Sequence, residues 1–123
     1  MAKKILILED EIILLELLKK KLTGEGYEVS TAMDGVEGLK IMKVQKPDLI
    51  LLDIIMPRMG GIEVMEEMQK SDGLKDISII VISNSGQPVE IDKAQRLGAC
   101  DWLVKTEFDP QSVVEKVFNL IGR

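Results

Sequence analysis

Five short apolar runs alternate along this chain with longer segments in which apolar residues recur at helical spacing. The runs are Lys4–Leu8, Tyr27–Thr31, Leu49–Leu52, Ile77–Ile82 and Ala99–Val104. The segments that follow them predict helices over 12–22, from 35, from 61, over 88–97 and from 110. Strands and helices that alternate in this way are typical of a parallel sheet covered by helices on both faces. The pattern predicts a single α/β domain over residues 1–123 with no effector domain.

The third run ends abruptly on a carboxylate. Four aliphatic residues, Leu49–Leu52, lie between Asp48 and Asp53, and Pro57 and two glycines then predict a turn. Asp53 is therefore expected where a central strand leaves the sheet, which is the edge where open α/β sheets bind ligands. The alternative from this residue alone is that Asp53 only caps the turn.

Composition excludes several classes of function. The 16 basic and 21 acidic residues give a net charge of −5, which argues against non-specific nucleic-acid binding. The absence of histidine excludes a Ser-His-Asp triad, a His-ligated zinc site and phosphohistidine chemistry within the chain. A single cysteine, Cys100, excludes an internal disulfide, and its strand context predicts that it is buried. No uninterrupted stretch of apolar residues is longer than four, which predicts that the chain does not span a membrane and favours a cytoplasmic protein.

Polar residues follow four of the five predicted strands. They are Glu9 and Asp10 after the first strand, Asp53 after the third, Ser83 after the fourth and Lys105 after the fifth. These positions share one edge of a parallel sheet, so three carboxylates should converge beside a lysine and a hydroxyl. Carboxylates in such a cluster need a cation or protons, and Mg²⁺ fits oxygen ligands of this kind. Each residue taken alone has a simpler structural explanation, as a solvated side chain or as part of a turn or helix start.

With these residues in this order, the chain resembles the receiver domain of two-component response regulators. The resemblance covers essentially the whole chain. It depends on Ile5–Glu11, on Pro47–Pro57 with Gly60 and Gly61, on Ile80–Ser83 and on Gly98–Lys105. The resemblance implies a flavodoxin-like, doubly wound (βα)5 sandwich with strand order 2-1-3-4-5. It implies that Asp53 is the phosphoacceptor, that Ser83 moves toward the phosphoryl group and that Lys105 pairs with it. It also implies Mg²⁺, or Mn²⁺ in its place, held by Asp10, Asp53 and the Ile55 carbonyl, with Glu9 acting through water.

Four positions depart from the family pattern or modulate it. Thr106 replaces the proline that usually follows the lysine, and a cis bond without proline would cost about 3–4 kcal/mol. Asn84 stands where a small residue is usual, and Trp102 occupies the aromatic switch position. Trp102 has the alternative of being simply a packed aromatic. Ile55 lies two residues after the acceptor, where a branched apolar side chain is expected to slow aspartyl-phosphate hydrolysis.

The function expected from these features is a phosphoacceptor switch or phosphorelay carrier. Its partners would be a sensor histidine kinase or phosphotransfer protein and a downstream target, read on the face of the fourth helix, fifth strand and fifth helix. Conventional enzyme turnover is not expected beyond self-phosphorylation and slow hydrolysis. The alternative is a phosphorylation-independent interaction module, which Thr106, Asn84 and Trp102 favour. A phosphatase would need a second acid at Ile55, and a flavin phosphate would be repelled by Glu9–Glu11.

Overall fold

Strands and helices alternate strictly in the computed structural model, which describes residues 2–107 and 109–123. The elements are β1 (Lys4–Leu8), α1 (Ile12–Gly24), β2 (Glu28–Ala32), α2 (Gly35–Gln45), β3 (Leu49–Asp53), α3 (Gly61–Gln69), β4 (Ser78–Ser83), α4 (Pro88–Arg96), β5 (Ala99–Val104) and α5 (Pro110–Ile121). The predicted order is confirmed. Strands β2 and β4 are displaced by one residue from the predicted runs, a difference that hydrophobic pattern alone does not resolve.

The five strands form one parallel sheet in the order β2-β1-β3-β4-β5, which confirms the flavodoxin-like architecture. Leu8 of β1 pairs with Leu52 of β3, and Ser83 of β4 pairs with Val104 of β5. This register brings the carboxyl ends of β1, β3, β4 and β5 to the same edge. The chain reverses its winding direction between β1 and β3, so the edge above these two strands is the place where a ligand is expected.

Each face of the sheet is covered by its own apolar cluster. Ile5, Ile7 and the strand residues that share their face pack against α1 and α5. Leu6, Leu8 and the residues on the opposite face pack against α2, α3 and α4. The methionines of α3 belong to this second cluster, in which Met65 and Met68 are buried. Strands β1, β3 and β4 are therefore almost entirely buried, and their carboxyl ends lie next to a packed core.

Three residues whose sequence context predicts burial lie at the surface instead: Cys100, Ile12 and, in α5, Phe118, which is 49% exposed. Cys100 is exposed because β5 is an edge strand in which Leu103 alone is buried. Ile12 follows the same apolar spacing as Leu15, Leu18 and Leu22 in the sequence, but its side chain is 57% exposed. It lies in the first turn of the helix, beyond the end of the sheet that covers Leu15, Leu18 and Leu22. Within residues 2–107 and 109–123, every helix is too short or too polar to cross a membrane.

Candidate functional site

Three carboxylates meet above the central strands. Glu9 follows β1 directly and Asp53 is the last residue of β3, so pairing of Leu8 with Leu52 brings them side by side. Glu9 is 0% exposed and Asp53 4% exposed, whereas the neighbouring Asp10 is half-buried. One oxygen from each of Glu9, Asp10 and Asp53 lies within 4.8 Å of the others. The convergence predicted from the strand ends is present in the structure.

Lys105 enters this cluster from the end of β5. Its backbone N–H donates to the carbonyl of Ser83 at 2.7 Å, which continues the pairing of β5 with β4. Its ammonium lies 3.0 Å from Asp53 Oδ2 and 3.1 Å from Glu9 Oε2, and it also pairs with Glu11. Only 7% of the lysine side chain is exposed. Lys105 is thus a buried cation shared by three acids.

The charges in the cluster shift one another's protonation. Burial, followed by a hydrogen bond with Asp53, raises the pKa of Glu9 from 4.5 to about 7. Burial would lower the pKa of Lys105, but hydrogen bonds to Glu11, Glu9 and Asp53 outweigh it and raise this pKa. Lys105 therefore stays charged at neutral pH. With a pKa of about 7, the buried carboxyl group of Glu9 is partly protonated at neutral pH.

The donor set fits a hard divalent cation. Glu9 Oε1 is buried and, although 2.9 Å from the lysine ammonium, it accepts no well-aligned hydrogen bond from any described residue. A buried oxygen without a hydrogen bond is costly unless another donor or an ion satisfies it. Carboxylate oxygens at this spacing suit Mg²⁺, which takes one or two carboxylates and retains water. Glu9, Asp10 and Asp53 are the residues that would hold it.

Six of the predicted site residues border one cavity of about 230 Å³, whereas Glu9 and Trp102 do not line it. Its lining includes Asp10, Asp53, Ile55, Ser83, Asn84 and Lys105, together with Glu11. The Ser83 side chain is buried, and that of Ile55 is 78% exposed at the margin. The cavity has the size for a phosphoryl group and a hydrated ion rather than for a large cofactor.

The loop between β3 and α3, residues 54–60, is tightly closed over the end of β3. The Gly61 N–H donates to the Ile54 carbonyl at 2.8 Å. A side-chain carbon on Gly60 would lie 2.6 Å from the Ile54 carbonyl oxygen, and one on Gly61 would overlap the Asp53 carbonyl. Only glycine allows the backbone to approach so closely. The β3–α3 loop, which carries Ile55, is therefore closed on itself next to Asp53.

The loop between β4 and α4, residues 84–87, is held by fewer contacts. The Ser85 N–H donates to the Ser83 hydroxyl at 3.2 Å, and the half-buried Trp102 indole N–H donates to the Ser85 carbonyl at 2.9 Å. Trp102 therefore contacts this loop and does not line the cavity, while Asn84 does. No peptide bond among the described residues is cis, so Lys105–Thr106 is trans.

Two interactions near the site were missed from the sequence. Glu11 is not among the predicted site residues, but its carboxylate pairs with Lys105. Asp34 caps α2 and also binds Arg58 in the β3–α3 loop. The run of three consecutive acids after β1 is the sequence signal that could have identified Glu11 as a third acid at this edge. Nothing in the local sequence pointed to the pairing of Asp34 with Arg58, 24 residues away.

Comparison with known proteins identifies the family. The family model described as the response regulator receiver domain matches residues 5–118 of the sequence. This chain belongs to that receiver-domain family. The match includes the four strand ends, of β1, β3, β4 and β5, that border the cavity.

Relatives with established names include regulators of two kinds. The chemotaxis protein CheY of Thermotoga maritima is 40% identical over 116 residues, covering 94% of each chain. The alkaline phosphatase synthesis transcriptional regulatory protein PhoP of Bacillus subtilis is 37% identical over 125 residues, covering all of this chain but 50% of that protein. The chain spans about half the length of the first curated relatives it matches. It is a receiver domain of two-component response regulators, similar to CheY.

Solved structures give the same fold. Chemotaxis protein CheY4 of Vibrio cholerae matches 98% of this chain and 99% of its own, with a TM-score of 0.91 and 28% identity. The phosphorylated cyanobacterial phytochrome response regulator RcpA matches 98% of this chain and 94% of its own, with a TM-score of 0.85 and 26% identity. The receiver domain of the histidine kinase PA1611 from Pseudomonas aeruginosa holds a magnesium ion in its active-site cleft; at 22% identity and a TM-score of 0.88 it indicates the fold alone.

Proposed function

We propose that this receiver domain is a phosphoacceptor switch in which Asp53 takes a phosphoryl group from the phosphohistidine of a partner kinase or phosphotransfer protein. The observation that carries the proposal is the placement of the Lys105 ammonium 3.0 Å from the Asp53 carboxylate, in a cavity of phosphoryl size. A buried carboxylate beside a cation and an ion site is a suitable nucleophile toward phosphorus. The known phosphorylation of RcpA supports this assignment.

The reaction transfers one phosphoryl group between two side chains. An Asp53 oxygen forms a bond to phosphorus as the phosphorus–nitrogen bond of the donor breaks, and the imidazole released takes up a proton. Mg²⁺, held by Glu9, Asp10, Asp53 and the Ile55 carbonyl, would supply positive charge to the phosphoryl oxygens. Lys105 would exchange its contact with Asp53 for a phosphoryl oxygen, and the Ser83 hydroxyl would donate to another.

The output surface follows from the connections of the β4–α4 loop. Phosphorylation adds about 1.5 to 2 negative charges beside Ser83. The Ser85 N–H donates to the Ser83 hydroxyl, and the Ser85 carbonyl accepts from the Trp102 indole. Movement of Ser83 would therefore shift both the β4–α4 loop and Trp102. We therefore assign signalling to the face of α4, β5 and α5, where a downstream protein would bind.

The direct test is intact-protein mass after incubation with acetyl phosphate and Mg²⁺. We expect a single phosphoryl adduct that is absent in Asp53→Asn and is prevented by EDTA. An adduct that persists in Asp53→Asn would refute the assignment of the acceptor.

A second candidate function is a phosphorylation-independent interaction module. The observation that favours it is the hydrogen bond of Trp102 to Ser85, which already ties the β4–α4 loop to β5 without phosphorylation. Beryllofluoride, a phosphoryl mimic, distinguishes the two functions through Trp102 fluorescence. A folded protein that forms no adduct and shows no fluorescence response would favour the module.

A further inference from the structure

The start of α2 contacts the β3–α3 loop through a side chain that serves two purposes. Asp34 Oδ1 accepts the Glu37 N–H at 2.9 Å and so caps α2, while Oδ2 accepts from Arg58 Nε at 3.1 Å and from Nη2. Asp34 is buried. The backbone N–H of Glu37, followed by the Arg58 guanidinium, holds the pKa of Asp34 below its usual value. The carboxylate therefore remains charged and links the helix to the loop.

A second contact joins the same two segments independently. The Gly35 N–H donates to the Met59 carbonyl at 3.0 Å. A side-chain carbon on Gly35 would lie 2.5 Å from that carbonyl oxygen, so this approach requires glycine. The Arg58–Met59 segment of the β3–α3 loop is thus attached to the start of α2 by one backbone hydrogen bond and one ion pair, and the Gly61–Ile54 hydrogen bond joins the two ends of the loop.

Arg58 adopts a backbone conformation that is unfavourable for its residue type. Its φ of +65° lies in the left-handed region, which residues other than glycine, asparagine and aspartate seldom adopt. Non-glycine residues persist there only when their surroundings hold them, and such residues cluster near functional sites. In this conformation the Arg58 guanidinium reaches the Asp34 carboxylate.

We propose that Arg58 and Asp34 are positioning residues for the metal site, a role that rests on the proposed function. Arg58 lies three residues after Ile55, whose carbonyl is the expected ligand on this loop. The ion pair would restrict the movement of the β3–α3 loop at Arg58. The Ile55 carbonyl, on the same loop, would then already be in place before the ion binds. The inference gives the pair a purpose beyond capping α2, because the cap uses the other carboxylate oxygen.

Two substitutions remove the ion pair without removing the helix cap or the left-handed backbone conformation. Asp34→Asn retains a good helix cap but removes the negative charge. Arg58→Asn retains a residue that tolerates positive φ but removes the guanidinium. The matched control is Arg96→Asn, which breaks the exposed Arg96–Asp92 pair of α4, with its 3.0 Å contact, far from the loop. All variants are first shown to be folded by circular dichroism.

The measurement is the Kd for Mg²⁺ alone, obtained by calorimetry. We expect Asp34→Asn and Arg58→Asn each to raise Kd roughly three- to tenfold, less than the 10- to 100-fold typical of groups bonded directly to a ligand. The double variant should resemble either single variant, Arg58→Lys should lie between Arg58→Asn and the parent, and Arg96→Asn should leave Kd unchanged. Equal Kd values in all folded variants, or additive effects in the double variant, would overturn the positioning role.

Hydrogen exchange in EDTA provides a readout that needs no metal. The amides of Met59 and Gly61, bonded to Pro57 and Ile54, should exchange faster in both variants than in Arg96→Asn. If the parent protein binds no Mg²⁺, the proposed metal site fails, and faster exchange would still support the restraint on the loop. Unchanged exchange would refute the restraint itself.

Discussion

The two loops that border the cavity are built in opposite ways. A backbone hydrogen bond joins the two ends of the β3–α3 loop, glycines allow its close packing, and a second backbone bond and a charged pair join it to the start of α2. The β4–α4 loop contains Asn84, Ser85, Gly86 and Gln87, which carry no charge, and it is held by a few single hydrogen bonds. A backbone ligand to an ion must be fixed in advance, whereas a segment that reports phosphorylation must move at modest cost. We infer that the β3–α3 loop is the rigid side of the cavity and the β4–α4 loop its mobile side, although the two loops follow adjacent strands.

The largest effect is expected from filling the space beside Asp53. Gly61→Ala would place a methyl group against the Asp53 carbonyl, which belongs to a buried strand and has little freedom to move. The free energy of unfolding, measured with urea, should fall by about 1–3 kcal/mol. Gly73→Ala is the matched control because a carbon there meets no atom within 4 Å. Equal stability of the two variants would show that the β3–α3 loop is not rigid.

A change of pH should affect the charged side of the cavity and not the β4–α4 loop. The pKa of Glu9 is raised from 4.5 to about 7 on folding, so the folded protein keeps a proton that the unfolded chain loses. Its stabilising contribution is complete below pH 4.5 and is lost as the pH rises through 7. In EDTA, the free energy of unfolding should fall by an amount on the order of 2 kcal/mol between pH 5 and pH 8.

Glu9→Gln should remove most of this decline, since glutamine does not titrate, and the exposed Glu66→Gln should not. Urea unfolding at the two pH values measures the difference. Saturating Mg²⁺ should stabilise the parent more at pH 8 than at pH 5, because the ion competes with the proton on Glu9. The same pH dependence in Glu9→Gln as in the parent would contradict this assignment.

A smaller effect is expected from loosening the β4–α4 loop. Trp102→Phe retains an aromatic ring but loses the N–H that donates to the Ser85 carbonyl. Stability should fall by about 1 kcal/mol, the usual value of one hydrogen bond, and the amides of residues 84–87 should exchange faster. The Kd for Mg²⁺ should not change. A weaker Mg²⁺ site in Trp102→Phe would show that the two loops are coupled and would break the division proposed above.

The smallest effect on stability is expected at Ile55, whose side chain is 78% exposed. Ile55→Ala should change the free energy of unfolding by less than about 0.5 kcal/mol. It should nevertheless speed hydrolysis of the aspartyl phosphate severalfold, because the branched side chain stands at the cavity margin where water would enter. Loss of the phosphoryl group, followed by mass in Mg²⁺ buffer, measures the rate. Val44→Ala, at an exposed position of α2, is the control and should leave the rate unchanged.

The sequence was sufficient for features that depend on patterns along a strand or helix. Four aliphatic residues followed by Asp53 indicated a buried central strand, and the ends of four strands identified the residues that meet at the edge. The exposure of Cys100 and Ile12 was not predictable in this way, because it depends on where the sheet and its covering helices stop. The contacts of Glu11 and Arg58 depend on side chains that reach across loops, and their partners lie 94 and 24 residues away. Local periodicity carries no information on such distances.

The separation of Lys105 from its partners has a consequence for how the protein folds. Lys105 contacts Asp53 across 52 residues and Glu9 across 96, and it lies beyond the last strand. A growing chain therefore contains the acids of β1 and β3 long before the lysine that compensates them has been synthesised. A sheet formed without β5 would bury carboxylates lacking this partner, which is strongly unfavourable. Docking of the last strand thus completes the site and removes a penalty on the partly folded sheet in the same step.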